Sequence, residues 1–481
     1  MQRRGLPIPL SIAFIVSIAL TACGLAPEYS RPTVDGLAGY KEEGPWRLAT
    51  GELREPEKWW RVFADPALDA LVEQLIVDNQ NVKLAEAQYK AAHAALNSAR
   101  AGLFPTLGAS AAASRSGSGT AASGSAASTS TVSTAYTLSA QAAWEIDLWG
   151  RVRGGVDAAG AKLQASEGVV GAVRLSAVAL LAQSYFQLRA ADAQQRLLTR
   201  TLAAYQRFLE LTRNRRDAGV ASSLDVAQAE TQLNATRGQL ADVQLLRAQT
   251  EHAIATLIGQ PPSALSIPEA RDAAALPPVP PAPTLVPAVA LESRYDIYSA
   301  ERQMAAANAQ IGVARAAYFP ALDLSADGGY RRSQLANLLS APARFWSLGP
   351  TLALTLFDGG ARSAAVSQAE AVYEQAVASY RQTVLTAFQE IEDNLVATRR
   401  LAEESASQQA ALVAAGKARA IAENQYRAGT ANALNVIAAQ ASELNAESAV
   451  IAIWSKNMVA AVQLYKNLGG RRINASPGNS K

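Results

Sequence analysis

The sequence predicts a mainly α chain that carries two long antiparallel helical hairpins and contributes four strands to a membrane β-barrel. Three observations lead there. The N-terminus carries the marks of export and lipid attachment, two proline-free stretches far exceed an ordinary helix, and short segments of period-two polarity are too few to close a sheet alone.

Residues 1–22 read as a signal peptide: Arg3 and Arg4, an apolar run from about Leu6 to Leu20 broken by Pro7 and Pro9, then small residues. The run is too short and too interrupted to span a bilayer. It ends in Leu20-Thr21-Ala22-Cys23, which resembles the lipobox of bacterial lipoproteins, and Cys23 is the only cysteine of the chain. A lone thiol in an exported protein has no internal disulfide partner, so acylation accounts for it. Gly24 in place of Asp after the cysteine points to the outer membrane. Residues 23–60, rich in Pro, Gly and charge, read as an extended tether.

The remaining chain is duplicated. Proline is absent from Thr106 to Gln260 and from Thr351 to Ser476, while nine of the 21 prolines fall between Pro261 and Pro287. A first repeat (61–260), a Pro-rich linker (261–287), a second repeat (288–470) and a tail (471–481) follow. Phe104-Pro105 aligns with Phe319-Pro320, Ala99-Arg100-Ala101 with Ala314-Arg315-Ala316, and Ala218-Gly219 with Ala428-Gly429. Each repeat reads as helix, two strands, very long helix, turn, helix.

Asp65 and Pro66 suit the N-cap and first turn of a helix that runs to about Leu103, before Pro105. Its repeat partner is expected from about Val289 to Tyr318. The stretches Val156–Asp217 and Ala361–Arg427 predict helices roughly 90–100 Å long at 1.5 Å per residue. Helices of that length need continuous neighbours, and their abundant Ala and Ser permit close approach. Gly219 and Gly429 suit the left-handed C′ position. Ser222 with Asp225, and Asn432 with Asn435, then restart helices in reverse.

The strands alternate. Tyr136, Leu138, Ala140, Ala142, Trp144 and Ile146 interleave with Thr137, Ser139, Gln141, Ala143 and Glu145. Leu322 and Leu324 interleave with Asp323 and Ser325; Leu348, Leu352, Leu354 and Leu356 with Gly349, Thr351, Ala353 and Thr355. A weaker, Ala-rich strand lies near Thr106–Ser114. One apolar and one polar face over about 9–11 residues fits a tilted membrane strand, with Tyr136, Leu138, Trp144, Leu322, Leu324, Leu352 and Leu354 facing lipid. Four strands cannot close a barrel. Two to four copies would supply eight to 16, and periodicity does not choose among them. The Gly/Ser/Ala/Thr tract Gly117–Ser133 reads as an external loop.

No reaction centre is expected. His93 and His252 lie far apart on helical segments, and neither Walker, G-x-S-x-G nor H-E-x-x-H patterns occur. No metal site and no cofactor are expected. Removing Arg3 and Arg4 with the leader takes the 44 basic residues to 42 against 41 acidic, which gives no basic patch for nucleic acid.

Five motifs carry a family resemblance: Trp59-Trp60 through Phe63-Ala64-Asp65-Pro66; Trp144 to Arg151; Ala305 to Pro320; Leu356-Phe357-Asp358-Gly359-Gly360; and Tyr426 to Thr430. Together they resemble the lipoprotein (NodT-type) branch of the TolC-like outer membrane factors, across essentially the whole chain. The resemblance implies a homotrimer with a 12-stranded barrel and a 12-helix periplasmic tunnel, acting as the passive exit duct of a tripartite efflux pump. It implies a periplasmic adaptor (membrane fusion) protein docked at Gly219, Val220, Gly429 and Thr430, and an inner-membrane resistance-nodulation-division transporter that supplies the energy. Tyr426 and Arg427 would lie at the constriction, with Asp225 a further candidate. Related channels often hold an Asp and an Arg where this chain has Ala438 and Ala441, which implies a closed state held more weakly, or by other residues such as Asp225. Protein secretion through a similar duct and a non-conducting envelope lipoprotein are the alternatives. Copper or silver export is disfavoured by a total of three methionines.

Overall fold

The computed structural model describes residues 25–32, 56–118, 131–269, 276–281 and 294–468. The signal peptide, Cys23 and the tail lie outside the described residues. Helices α1 (Pro66–Asp78) and α2 (Gln80–Ala101) lead into strands β1 (Thr106–Ser118) and β2 (Thr131–Glu145), the long helix α3 (Arg151–Asp217) and α4 (Ser223–Leu257). The order then recurs as α5 (Tyr295–Ala316), β3 (Ala321–Arg332), β4 (Arg344–Ala353), the long helix α6 (Ala361–Arg427) and α7 (Ala433–Leu468). At 67 residues each, α3 and α6 are about 100 Å long.

Asp65 caps α1 as expected: its Oδ1 accepts from the Ala67 and Leu68 N–H groups at 2.9 and 3.2 Å. Its Oδ2 accepts from the Tyr185 hydroxyl at 2.7 Å. The single helix read from Asp65 to Leu103 is instead two. Asn79 closes α1 with its backbone N–H on the Leu75 carbonyl (2.9 Å). Its side-chain Oδ1 opens α2 by accepting from Asn81 and Val82 N–H, while Nδ2 donates to the Leu257 carbonyl at 2.7 Å. A side chain that satisfies two helix ends at once breaks a helix without proline.

The chain forms two compact units, and each draws on both sequence repeats. The first comprises Met1–Pro32, Tyr89–Ser166 and Ser299–Tyr380; the second comprises Thr33–Gln88, Glu167–Tyr298 and Arg381–Lys481. The second holds the largest core. Leu68, Val72 and Leu75, spaced to share one face of α1, are fully buried with Leu181, Tyr185, Leu188, Ile254, Met458 and Val462. Trp59 and Trp60 join this core from a short 3-10 segment at Pro56–Phe63, so the tether expected over 23–60 gives way to packed structure before residue 60. Indoles of this size dominate local burial energetics. An 18-residue stretch of α3 has a mean hydropathy of 1.5, enough to cross a membrane, but α3 supplies Val178, Leu181, Ala182, Tyr185, Phe186 and Leu188 to this same core.

In the first unit the four strands form one antiparallel sheet in the order β1-β2-β3-β4, which leaves β1 and β4 as edges. β1 and β2 extend into the tract read as a loop, taking in Gly117, Ser118 and Thr131 to Ser133. β4 stops at Ala353, so Leu354, expected within the strand, lies one residue beyond it. The described part of the tether, residues 25–32, is docked on α5 and, through Arg31, on α6. Asn308 Nδ2 donates to the Pro27 carbonyl (2.8 Å), the Tyr29 hydroxyl to Glu301 Oε1 (2.5 Å), and Arg31 Nε to the Tyr380 hydroxyl (2.8 Å). A Cβ on Gly312 would lie 2.7 Å from the Ala26 nitrogen, so this approach requires glycine.

Candidate functional site

Cross-strand register settles which residues share a face of the sheet. Leu138 lies opposite Ala111 and Tyr330, Ala142 opposite Leu107 and Ala326, Trp144 opposite Leu324, and Leu322 opposite Leu352. Six of the seven residues read as lipid-facing, Tyr136, Leu138, Trp144, Leu322, Leu324 and Leu352, therefore line one side. Leu107 and Trp346, 81% and 82% exposed, stand on it too, a degree of exposure that water alone does not favour. The opposite face is polar. Ser110 and Ser139 hydroxyls meet at 3.0 Å, and Gln141 Nε2 donates to both, at 2.9 and 2.5 Å.

Aromatic residues mark the helix-bearing end of the sheet. Trp144 Nε1 donates to the Leu103 carbonyl (3.1 Å), and Trp149 Nε1 to the Pro320 carbonyl (2.8 Å), with the Trp149 and Phe319 rings stacked at 4.7 Å. Each long helix begins on an aspartate paired with arginine. Asp147 accepts from Val152 and Arg153 N–H and from the Arg153 guanidinium; Asp358 accepts from Gly360 and Arg362 N–H and from Arg362 Nε at 2.6 Å. Burial opposes the charge on Asp147, but those donors outweigh it and hold its carboxyl below the usual range. The Arg362 guanidinium leads the same downward displacement at Asp358.

Within the second unit, the hairpins α3–α4 and α6–α7 end in matching turns. Gly219 and Gly429 take φ of 76° and 78°. Val220 N–H donates to the Arg215 carbonyl and Gly219 N–H to that of Arg216 (2.8 Å each). Thr430 and Gly429 repeat the pattern on Gln425 and Tyr426 at 2.9 and 3.1 Å. This is the Schellman closure, followed at the first tip by a full capping box between Ser222 and Asp225. Asn432 Oδ1 caps α7 through Asn435 N–H at 3.0 Å. Val220 and Leu224 are 72% and 65% exposed, so the first tip presents apolar side chains.

The constriction candidates occupy three different settings. Tyr426 is buried with Tyr205, Phe208, Leu209, Val226, Val436 and neighbours, in a cluster that joins the two hairpins. Arg427 is largely exposed and lies 3.7 Å from Glu423. Asp225 is engaged by the Ser222 backbone N–H and hydroxyl, both at 2.9 Å. Ala438 is exposed and Ala441 half-buried. Arg215, which the sequence alone did not single out, reaches from the first hairpin to the second. Its Nη1 donates to the Tyr426 carbonyl at 2.8 Å, and its guanidinium lies over the Tyr426 ring. Close by, Arg419, Glu423, Gln440 and Glu443 tie α6 to α7.

The sequence profile of the family described as outer membrane efflux protein matches residues 71–260 and 286–470, covering both repeats. The chain belongs to that family. It is 33% identical over 465 residues to the probable efflux pump outer membrane protein TtgC of Pseudomonas putida, and 32% identical over 460 residues to outer membrane protein OprJ of Pseudomonas aeruginosa. In each pair 95% of both chains is covered. Among solved structures, the outer-membrane channel OprN superposes with a TM-score of 0.83 at 31% identity, covering 93% of this chain and 99% of that one. CusC superposes with a TM-score of 0.81 at 26% identity, covering 93% and 100%. The mainly α fold with four barrel strands is thus the fold of outer-membrane channels. The protein resides in the outer membrane with a large periplasmic portion, as the exit duct of a tripartite efflux pump. The family is one of channels.

Proposed function

We propose that three copies of this chain, four strands from each, close a 12-stranded barrel continuous with a 12-helix tunnel through which small organic molecules leave the periplasm. The carrying observation is the sheet: one apolar and one polar face, with the edges of β1 and β4 left to pair with other copies. Open edges are not tolerated in hydrocarbon, and a polar inner face suits a water-filled lumen. The described activities of relatives, among them antibiotic and toluene efflux, support small organic cargo. The hydrogen-bonded tips at Gly219, Val220, Gly429 and Thr430 meet a periplasmic adaptor, which couples the duct to an inner-membrane resistance-nodulation-division transporter. Tyr426, Arg427 and Asp225 contribute to the constriction, and acylated Cys23 anchors the chain. Docking of residues 25–32 on α5 supports that last reading, because a lipid two residues before Leu25 is then tethered at a fixed point.

Deletion followed by a susceptibility panel of antibiotics and organic solvents tests the transport reading. Sensitisation restored by the wild-type gene is expected, and unchanged susceptibility in a strain lacking related channels overturns it. Cysteine pairs placed across β1 and β4 test closure. Disulfide-linked trimers are expected, and a ladder ending at another number overturns the stoichiometry.

A further inference from the structure

The apolar face of the sheet carries charge at one end only. Among the described strand residues its charged members are Arg115, opposite Thr134; Arg332, opposite Tyr136; and Arg344, opposite Tyr330. The strand acids Glu145, Asp323 and Asp327 all alternate onto the polar face. All three arginines sit at the end of the strands remote from α2, α3, α5 and α6. Since the helical portion is periplasmic, that end faces the outside.

A cation on the lipid face costs about 2–4 kcal/mol at mid-bilayer and about 0–1 kcal/mol near the interface, so its natural place is among head groups. Several features favour an anionic head group over water. The cations are all arginine, whose planar fork matches phosphate in two-point contacts. From strand spacing and rise, the Arg332 and Arg344 backbones lie about 8 Å apart, and those of Arg332 and Arg115 about 12 Å apart, a span one multiply phosphorylated head group can bridge. Arg332 Nε is shielded from solvent and has no hydrogen-bond partner among the described residues. The Arg344 guanidinium lies 6.0 Å from the centre of the Tyr330 ring, at the level of an interfacial aromatic girdle. Between Arg332 and Arg344 the turn exposes Leu335 and Leu339, 64% and 69% accessible, apolar surface suited to acyl chains beside the cations.

We propose that Arg115, Arg332 and Arg344 form a binding site for phosphate-bearing glycolipid of the outer leaflet; the proposal rests on closure of the sheet into a barrel. The site would fix the height of the barrel in the membrane and seal its outer rim.

Native mass spectrometry of the purified full-length protein reads both assembly and bound lipid. The probes are bisphosphorylated lipid A and its dephosphorylated counterpart. The wild-type trimer is expected to retain the bisphosphorylated form at least about 10-fold better, and R115Q/R332Q/R344Q to reduce that preference to near unity. R331Q, on the polar face, leaves it unchanged. Equal retention of the two lipids by wild type, or an unaltered preference in the triple variant, overturns the site. Absence of a closed oligomer in the same spectra overturns instead the closure on which it rests. Should the triple variant fail to assemble, R115Q and R344Q carry the test singly. Each is expected to lower the preference by about two- to threefold, and no change in either overturns the site.

Discussion

Arg215 and Tyr426 are joined twice: the Arg215 Nη1 donates to the Tyr426 carbonyl at 2.8 Å, and the guanidinium sits 4.3 Å from the centre of the Tyr426 ring. That carbonyl belongs to the last turn of α6 and already accepts from the Gly429 N–H at 3.1 Å, so the guanidinium adds a second donor and places a cation at the negative end of the helix. The pair ties one hairpin to the other just behind the tips, and its loss costs on the order of 1–2 kcal/mol locally. R215A is expected to raise single-channel conductance in planar bilayers and to speed amide exchange around Tyr426 to Thr430. R215K, which keeps charge without the planar fork, falls between. Conductance and exchange equal to wild type would show that the tie does not restrain the tips.

The tips make a second prediction. A side chain at φ near 76° costs about 1 kcal/mol for alanine and more for a β-branched residue. G219V and G429V are therefore expected to distort the turns with little effect on the core around Leu68 and Leu75, far along the chain. Outer-membrane levels should stay near wild type while efflux complementation falls, most strongly in the double variant. Full complementation by the double variant would separate tip geometry from function.

Asp147 and Asp358 make the strand-to-helix junctions acid-sensitive. Both carboxyls are held below their usual range, so the unfolded state binds their protons first. Their contribution is present above the unfolded value of about 4 and is lost as pH falls through the lower folded value. Thermal stability is expected to drop below about pH 4 in wild type, and D147N/D358N should flatten that drop. A drop of equal size in the double variant would assign acid lability elsewhere.

Much of this was legible in the sequence, because period and punctuation are local. Strand alternation, the caps at Asp65 and Ser222, and the glycines at 219 and 429 were each readable within a few residues of chain. The long helix α6 was legible from its proline-free stretch and from Gly429 at its end. The split at Asn79 was hidden because it depends on a bond to Leu257, 178 residues away. Arg215 was hidden for the same reason, its partner lying 211 residues on. Trp59 and Trp60 stood in a segment whose Pro, Gly and charge outweighed two indoles in any window average, although burial favours the indoles.

The two faces of the sheet yield the sharpest contrast between neighbours. Leu348 lies mid-strand on the apolar face opposite Ala326, whereas Ser347 lies on the polar face opposite Asp327. Arginine at 348 would meet hydrocarbon at a cost of about 2–4 kcal/mol in each copy, multiplied around the barrel. L348R is therefore expected to vanish from the outer-membrane fraction on immunoblots. Arginine at 347 would instead meet a carboxylate whose Oδ1 is shielded and has no hydrogen-bond partner among the described residues. An opposite-charge pair directly across two strands contributes roughly 0.2–1 kcal/mol, so S347R should reach the membrane at normal levels. It should also shift the reversal potential towards anions, since the added charge faces the lumen. Loss of S347R together with survival of L348R would reverse the assignment of inside and outside.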